Sequence, residues 1–500
     1  MKNNVVKNIF SSLIQQFICI ICGFIVPRLI LLKYGSDVNG LVTSITQFLG
    51  YITLLEAGIA PVVKSALYKP IVNKDKKQIE KILKSAEHFF RTIAIVFVLY
   101  IVILCIVFPK FYSSEYKIEF TLSLVLIISI STFFEYFFGM TYSIYLQSVQ
   151  KNYVISILKT LLKLLNTIIV VILVFGNCSI QMVKLASSLI YLISPFFLSF
   201  YVKKKYHINL KQVDYKGALK NKWAGFSQHI AAILHNSVDV AVLTFFVNAK
   251  EVSVYSVHML VINSIREISI SLSSGIDAWF GKSIANEDNV KLNDNLKKYE
   301  FFFYTIITFL FACTLALQIP FIKVYTRGIT DANYFRPTFA YIMIFSQYIY
   351  VLRVPYNDMI LAAGHFKKTK KYAWIEAITN LILSTILVIK YGIIGVATGT
   401  LVATLIRTIE LMVYASKKIL NRKIIVVLKK VAISFLEILC ILFICNIIKF
   451  TFSTSYFDFL VNASMVAIIS LFIILIFDLI FYKEDIKSFI NYIKWRKKNE

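Results

Sequence analysis

The chain has 500 residues, 58% of them hydrophobic and 15% aromatic, and a mean hydropathy of +0.72. Soluble domains are nearer half apolar, and here runs of about 20 apolar residues, enough to cross a bilayer, recur from end to end. That excludes a soluble enzyme. A nucleic-acid partner is excluded too, because the formal charge of +27 falls in alternate loops rather than on one patch.

Spanning helices are predicted at about 8–32, 41–66, 88–109, 118–147, 154–175, 180–202, 223–247, 252–281, 299–323, 338–363, 372–390, 392–415, 430–449 and 457–481, about fourteen in all. The expected fold class is an all-α polytopic membrane protein. The first span starts close to Met1 and lacks a small-residue cleavage site, so it is expected to be retained rather than removed as a signal peptide. Lys74, Lys76, Lys77, Lys81 and Lys84 follow the second span, and Lys203, Lys204 and Lys205 begin the basic loop after the sixth. Lys367, Lys368, Lys370 and Lys371 follow the tenth span, and Lys417, Lys418, Arg422, Lys423, Lys429 and Lys430 the twelfth. The intervening loops carry almost no charge, so the positive-inside rule places both termini in the cytoplasm. No connecting stretch exceeds roughly 20 residues, too little for a soluble catalytic domain or nucleotide cassette. Energy is therefore expected from an H+ or Na+ gradient or from the substrate's own imbalance, with no cofactor. Cys19 and Cys22 form a C-x-x-C pattern without a second Cys or His pair, and are read as packing residues rather than a metal site.

The two halves come into register at an offset of about 215 residues. His88-Phe89-Phe90-Arg91-Thr92-Ile93 falls opposite Phe301-Phe302-Phe303-Tyr304-Thr305-Ile306, Ala57-Gly58 opposite Ser274-Gly275, and Gly176 opposite Gly392. Each match is weak, and the shared offset carries the inference. It spans an even number of helices, so the copies form a parallel repeat. The expected organisation is an N-terminal six-helix lobe over 1–217, a second over 218–420, a central cavity between them, and two appended helices with a basic tail over 421–500.

Nine basic residues lie inside predicted spans: Arg28, Lys64, Arg91, Lys159, Lys163, Lys184, Arg266, Arg353 and Arg407. Each would cost roughly 2.5 kcal/mol or more at a helix centre in lipid, so intramembrane charge marks a functional site by default. Such a basic cavity suits an anion. Arg28 follows Pro27, where the helix can bend. Lys159 and Lys163 stack one turn apart and would repel unless an anion or carboxylate lies between them, although Lys159 could instead snorkel to the membrane edge. Arg266 and Arg353 offer planar forks that grip phosphate bidentately. The candidate substrate-binding set is thus Arg28, Lys159, Lys163, Arg266 and Arg353. Gln228, His235 and Asp239 share a helix face, making His235 and Asp239 ion-coupling candidates, with Asp239 pairing Arg28 or Arg266 as the structural alternative. Glu56 and Glu376 are further carboxylates that could carry a cation or neutralise arginine. Arg407 is expected to pair with Glu410 one turn away. The aromatic side chains, mostly core, could also line a groove for a lipid chain.

The stretches Leu361–Thr369, Ile375–Ser384 and Gly392–Thr400 with Arg407 resemble the second lobe of bacterial polysaccharide flippases of the Wzx type. Asn8, Pro27, Gly35, Gly40, Gly58 and Gln147–Tyr153 extend the resemblance into the first half. It implies a fold like that of the multidrug and toxin extrusion (MATE) proteins, within the MOP superfamily, in the bacterial plasma membrane. It also implies alternating-access transfer of undecaprenyl-diphosphate-linked oligosaccharide to the outer leaflet for capsule or O antigen, beside membrane lipids, a polymerase and other assembly proteins. A lipid II-type flippase is the nearest alternative. A membrane polysaccharide polymerase is a third, but it would show a long outer loop, and a drug exporter would want an acidic cavity.

Overall fold

The computed structural model describes residues 2–56, 58–112, 116–210, 213, 226–273, 289–448 and 455–483. They are helical throughout, with no strand among them. The helices are α1 (Lys2–Gly50), α2 (Thr53–Glu56), α3 (Ile59–Val72), α4 (Lys76–Phe111), α5 (Ile118–Phe134), α6 (Met140–Ser148), α7 (Asn152–Phe175), α8 (Ile180–Tyr206) and α9 (Phe226–Phe246). There follow α10 (Ala249–Ser273), α11 (Asn289–Tyr325), α12 (Pro337–Leu352), α13 (Val354–Ala362), α14 (Phe366–Tyr391), α15 (Ile393–Lys418), α16 (Ile425–Ile448) and α17 (Tyr456–Phe481). Ten helical stretches among the described residues are long and apolar enough to cross a membrane, and each of the fourteen predicted spans coincides with helix. The protein is a multi-pass membrane protein. The repeat partners Ser274-Gly275 and most of the loop at 211–225 lie outside the described residues.

The burial pattern is that of a chain solvated by lipid. On α4, Phe90, Ala94, Phe97 and Ile101 are buried while Ile95, Leu99, Val102 and Ile106 are exposed, so both faces are apolar and no polar stripe marks the outside. Helix starts follow local chemistry: the Asp75 side chain accepts from the Gln78 N–H at 3.0 Å ahead of α4, and Ser179 caps α8 in the same way.

The chain divides into two compact units, Met1–Ser253 and Val254–Glu500. In the first, α1 runs beside α7 in a constant register: Asn8 binds the Gln150 carbonyl at 3.0 Å and the Tyr153 N–H at 2.8 Å, and Tyr34 donates to the Cys178 carbonyl at 2.7 Å. Both ends match in the same order, so the pair is parallel. The connection expected at about 33–40 is not a loop. Helix α1 continues through it with one break at Gly35, whose φ of 83° and ψ of 173° suit a residue without a Cβ. Beyond the break, a Cβ on Gly40 would overlap the Ala249 carbonyl. Nearby, Asn39 donates to Ser253 at 2.9 Å, Ser44 meets Thr244 at 2.8 Å, and Lys250 pairs with Asp37 at 3.5 Å.

Three predicted spans are interrupted: the second breaks at Tyr51-Ile52 and again at Gly58, between α1, α2 and α3. The fourth passes through a π-helical turn at Glu135–Gly139; the tenth breaks at Arg353, with Pro355 opening α13. In the second unit α14 and α15 form a close hairpin that turns at Gly392, where φ is 54°. A Cβ on Gly395 would meet the Leu387 backbone, and one on Gly399 the Ser384 hydroxyl. Ser384 and Thr400 both donate to Asn380 Oδ1, at 2.9 and 3.2 Å, and fix the register.

Candidate functional site

In the first unit, α1, α2, α5, α7, α8 and the π-turn enclose a cavity of about 480 Å³ lined by Gln15, Thr53, Glu56, Glu135, Tyr136, Lys159, Lys163 and Tyr191, among others. Three of the sequence candidates, Glu56, Lys159 and Lys163, therefore meet in one place. A π-turn inserts one residue into the helix and re-aims those that follow. Here Tyr136 donates to Glu56 Oε2 at 2.8 Å, while Glu135 lines the same wall. The Lys159, Lys163 and Glu135 side chains make no ion pair within 4 Å and no hydrogen bond with described residues. Charges of both signs face one another across this space without direct contact, so water or a ligand is needed to solvate them.

In the second unit, Arg266, Arg353, Glu376 and Arg407 come together around Tyr350. Arg353 Nη1 lies 2.6 Å from Glu376 Oε1, and its guanidinium stacks 4.2 Å from the Tyr350 ring centroid. Arg266 approaches the same ring at 5.6 Å and donates to Gln347 at 3.3 Å. Arg407 does not turn to Glu410 within its own helix. It donates to the Thr369 carbonyl at 2.9 Å and sits 3.9 Å from Glu376 Oε2, because the carboxylate across the hairpin is buried and already drawn towards Arg353. Two guanidinium groups, those of Arg353 and Arg407, thus converge on Glu376, while Arg266 contacts the Tyr350 ring and Gln347. Replacing Arg353 with methionine should remove the 2.6 Å ion pair to buried Glu376 and cost about 3–5 kcal/mol, read as a fall in membrane abundance and melting temperature. Arg353→Lys should recover only part of it, since an ammonium cannot keep both the ion pair and the ring stacking.

Arg91, read from sequence with the cavity residues, is held within α4 by Glu87 at 2.9 Å. His235 and Asp239 are both buried on α9, around Ser237, whose carbonyl accepts from Tyr51 at 2.8 Å. They and Arg28 belong to the first unit, and Arg266, Arg353 and Glu376 to the second. The Gln228 side chain lies outside what is described.

Sequence reasoning missed a third cluster. Glu300 is fully buried and binds Arg422, Lys430 at 2.9 Å and the Tyr356 hydroxyl at 2.8 Å. Arg422 and Lys430 were counted as loop charges; the signal that could have found them is Glu300, a carboxylate heading the apolar run Phe301-Phe302-Phe303. Alongside, α11, α12, α15, α16 and α17 line an apolar groove of about 920 Å³ that includes Leu315, Phe345, Phe435, Leu442 and Val466.

No family model and no curated protein matches the sequence. Solved structures do match in fold. The lipid II flippase MurJ, in an inward closed conformation, superposes with a TM-score of 0.66 at 17% identity, covering 97% of this chain and all of that one. The chain shares the fold of that flippase. An inward-facing multidrug resistance MATE transporter of the MOP superfamily gives 0.60 at 14% identity, over 84% of this chain and 99% of that one. A MOP superfamily transporter from Pyrococcus furiosus, described as having a binding pocket of reverse polarity, gives 0.59 at 14% over 84% of this chain and 97% of that one. The expected MATE-like architecture is therefore present. About a sixth of this chain has no counterpart in the two shorter transporters, whereas the MurJ chain matches almost all of it.

Proposed function

We propose that the protein is a flippase that moves an undecaprenyl-diphosphate-linked oligosaccharide from the cytoplasmic to the outer leaflet of a bacterial plasma membrane, by ion-coupled alternating access. The observation that carries the reading is the pair Lys159 and Lys163, in no direct salt bridge with protein, in a cavity whose volume lies within the range of about 300–1,000 Å³ common to small-ligand pockets. The two ammonium groups would bind an anionic headgroup, while Glu56 and Glu135 on the same wall offset their charge in its absence. Arg266 beside Arg353 adds donors of the kind a diphosphate takes bidentately, Arg28 adds a third guanidinium, and the apolar groove along α16 suits a polyisoprenyl chain. Lobes over 1–217 and 218–420 would rock, with 421–500 appended and both termini cytoplasmic. His235, Asp239, Glu56 and Glu376 are the proposed coupling groups; Glu376 would exchange its arginine partners for a cation.

A second reading, a lipid II-type flippase, is favoured by the end-to-end match to MurJ. Deleting the gene and extracting lipid-linked intermediates tests both. An undecaprenyl-diphosphate repeat unit accumulating on the cytoplasmic side is the expected result, while accumulating lipid II would select the second reading. Single repeat units that reach the outer leaflet unpolymerised would mean a polymerase, and unchanged pools would overturn glycolipid transport.

A further inference from the structure

We infer that Glu437 on α16 and Asp478 on α17 share one bound proton, forming a site distinct from the proposed coupling groups. Both carboxyls are buried, at 3% and 4% exposure. Both line a small cavity with Glu300, Tyr304, Thr305, Lys430 and Ser434. Thr305 donates to Asp478 Oδ2 at 3.2 Å. Glu437 has no hydrogen bond or ion pair to described residues, although it points into that cavity.

Charge counting decides what is missing. Lys430 and Arg422 are both engaged by Glu300. Two cations therefore face three carboxylates, Glu300, Glu437 and Asp478. The other described ionisable groups nearby do not alter the balance: Tyr304 and Tyr356 hydrogen-bond each other as phenols, Tyr482 packs at a tilt against Phe301, and Lys297, Lys423, Lys429 and Lys483 are exposed. Among the described residues one positive charge is lacking, and two buried carboxylates in one cavity do not both ionise. The space has no room for a water-sized group, so a hydrated metal ion does not fit, whereas a proton needs none. Lys430, Ser434 and Glu437 are spaced four and three residues apart on one face of α16, so the proton lies one to two turns from the ion cluster along the same helix.

The test is infrared difference spectroscopy of the purified, lipid-reconstituted protein at neutral pH, comparing wild type with Glu437→Gln and Asp478→Asn. Each single variant should lose the same carboxylic-acid carbonyl band, sensitive to exchange into heavy water, and the double variant should lose no more than either single one. Equal loss without addition is the signature of one shared proton. No loss in either variant, or a loss that doubles in the double variant, would overturn it. Lys430→Met provides an independent reading if a carboxyl variant aggregates: removing a cation should call in a second proton and roughly double the band, and an unchanged band would count against the site. None of these readings depends on the cargo.

Discussion

Lys159→Met combined with Lys163→Met should abolish surface glycan while leaving the protein at its normal level in the membrane. Both lysines line the first-unit cavity without a salt bridge within 4 Å, so their removal breaks no direct ion pair, and the carboxyls of Glu56 and Glu135 facing them can take up protons in compensation. A hydrogen bond to a charged group contributes about 1.5–3 kcal/mol; losing two would weaken cargo binding by about 3–6 kcal/mol, a hundredfold or more at 1.4 kcal/mol per decade. Arginine at both positions should restore part of the export, because the charge is kept. Lys184→Met, on α8 outside the cavity lining, is the control and should export normally. Export that survives the double substitution would sink the assignment of this cavity to an anionic cargo; loss of the protein itself would show that the lysines are structural.

Glu300→Gln should be the most destabilising single change in the second unit. Glu300 is wholly buried and binds two cations from α16 and the segment before it, along with the Tyr356 hydroxyl of α13. An amide can still accept hydrogen bonds but strands two buried positive charges, at a cost of about 3–5 kcal/mol. The expected result is a detergent-solubilised protein with a clearly lowered melting temperature and reduced yield, partly rescued by adding Lys430→Met. A melting temperature unchanged by Glu300→Gln would mean that Arg422 and Lys430 reach water instead.

The helices were legible from sequence because lipid imposes its requirement locally: about 20 apolar residues, whatever they touch. The interruptions were not. Nothing in Ser131-Thr132-Phe133-Phe134-Glu135 distinguishes a π-turn from a plain helix, since the extra residue is fixed by neighbours such as Glu56, which Tyr136 binds from 80 positions away. The turn expected before the second span vanished because one glycine, Gly35, supplies the whole change of direction. Lys159, Lys163 and Glu56 could be grouped as candidates by residue type and helical spacing, but their shared cavity needed three dimensions. Arg407 shows the opposite failure. Its spacing to Glu410 fits the rule for neighbouring turns, yet the carboxylate it meets is Glu376 on the adjoining helix. Charge counting along the sequence groups Arg422 and Lys430 with a cytoplasmic loop, because such counting does not say which members of a basic cluster turn inward.

The α14–α15 hairpin limits how the second unit can move. Where side chains separate two helices, they act as deformable spacers and allow a few tenths of an ångström of slip. At Gly395 and Gly399 there is no spacer: backbone lies on backbone, and Ser384, Asn380 and Thr400 lock the alignment. A slip of one residue would bring Val396 or Thr400 to a point that admits only hydrogen. The hairpin must therefore travel as a single strut, and any bending in its neighbourhood falls to the breaks beside it, at Gly364 with its positive φ and at the Arg353 interruption.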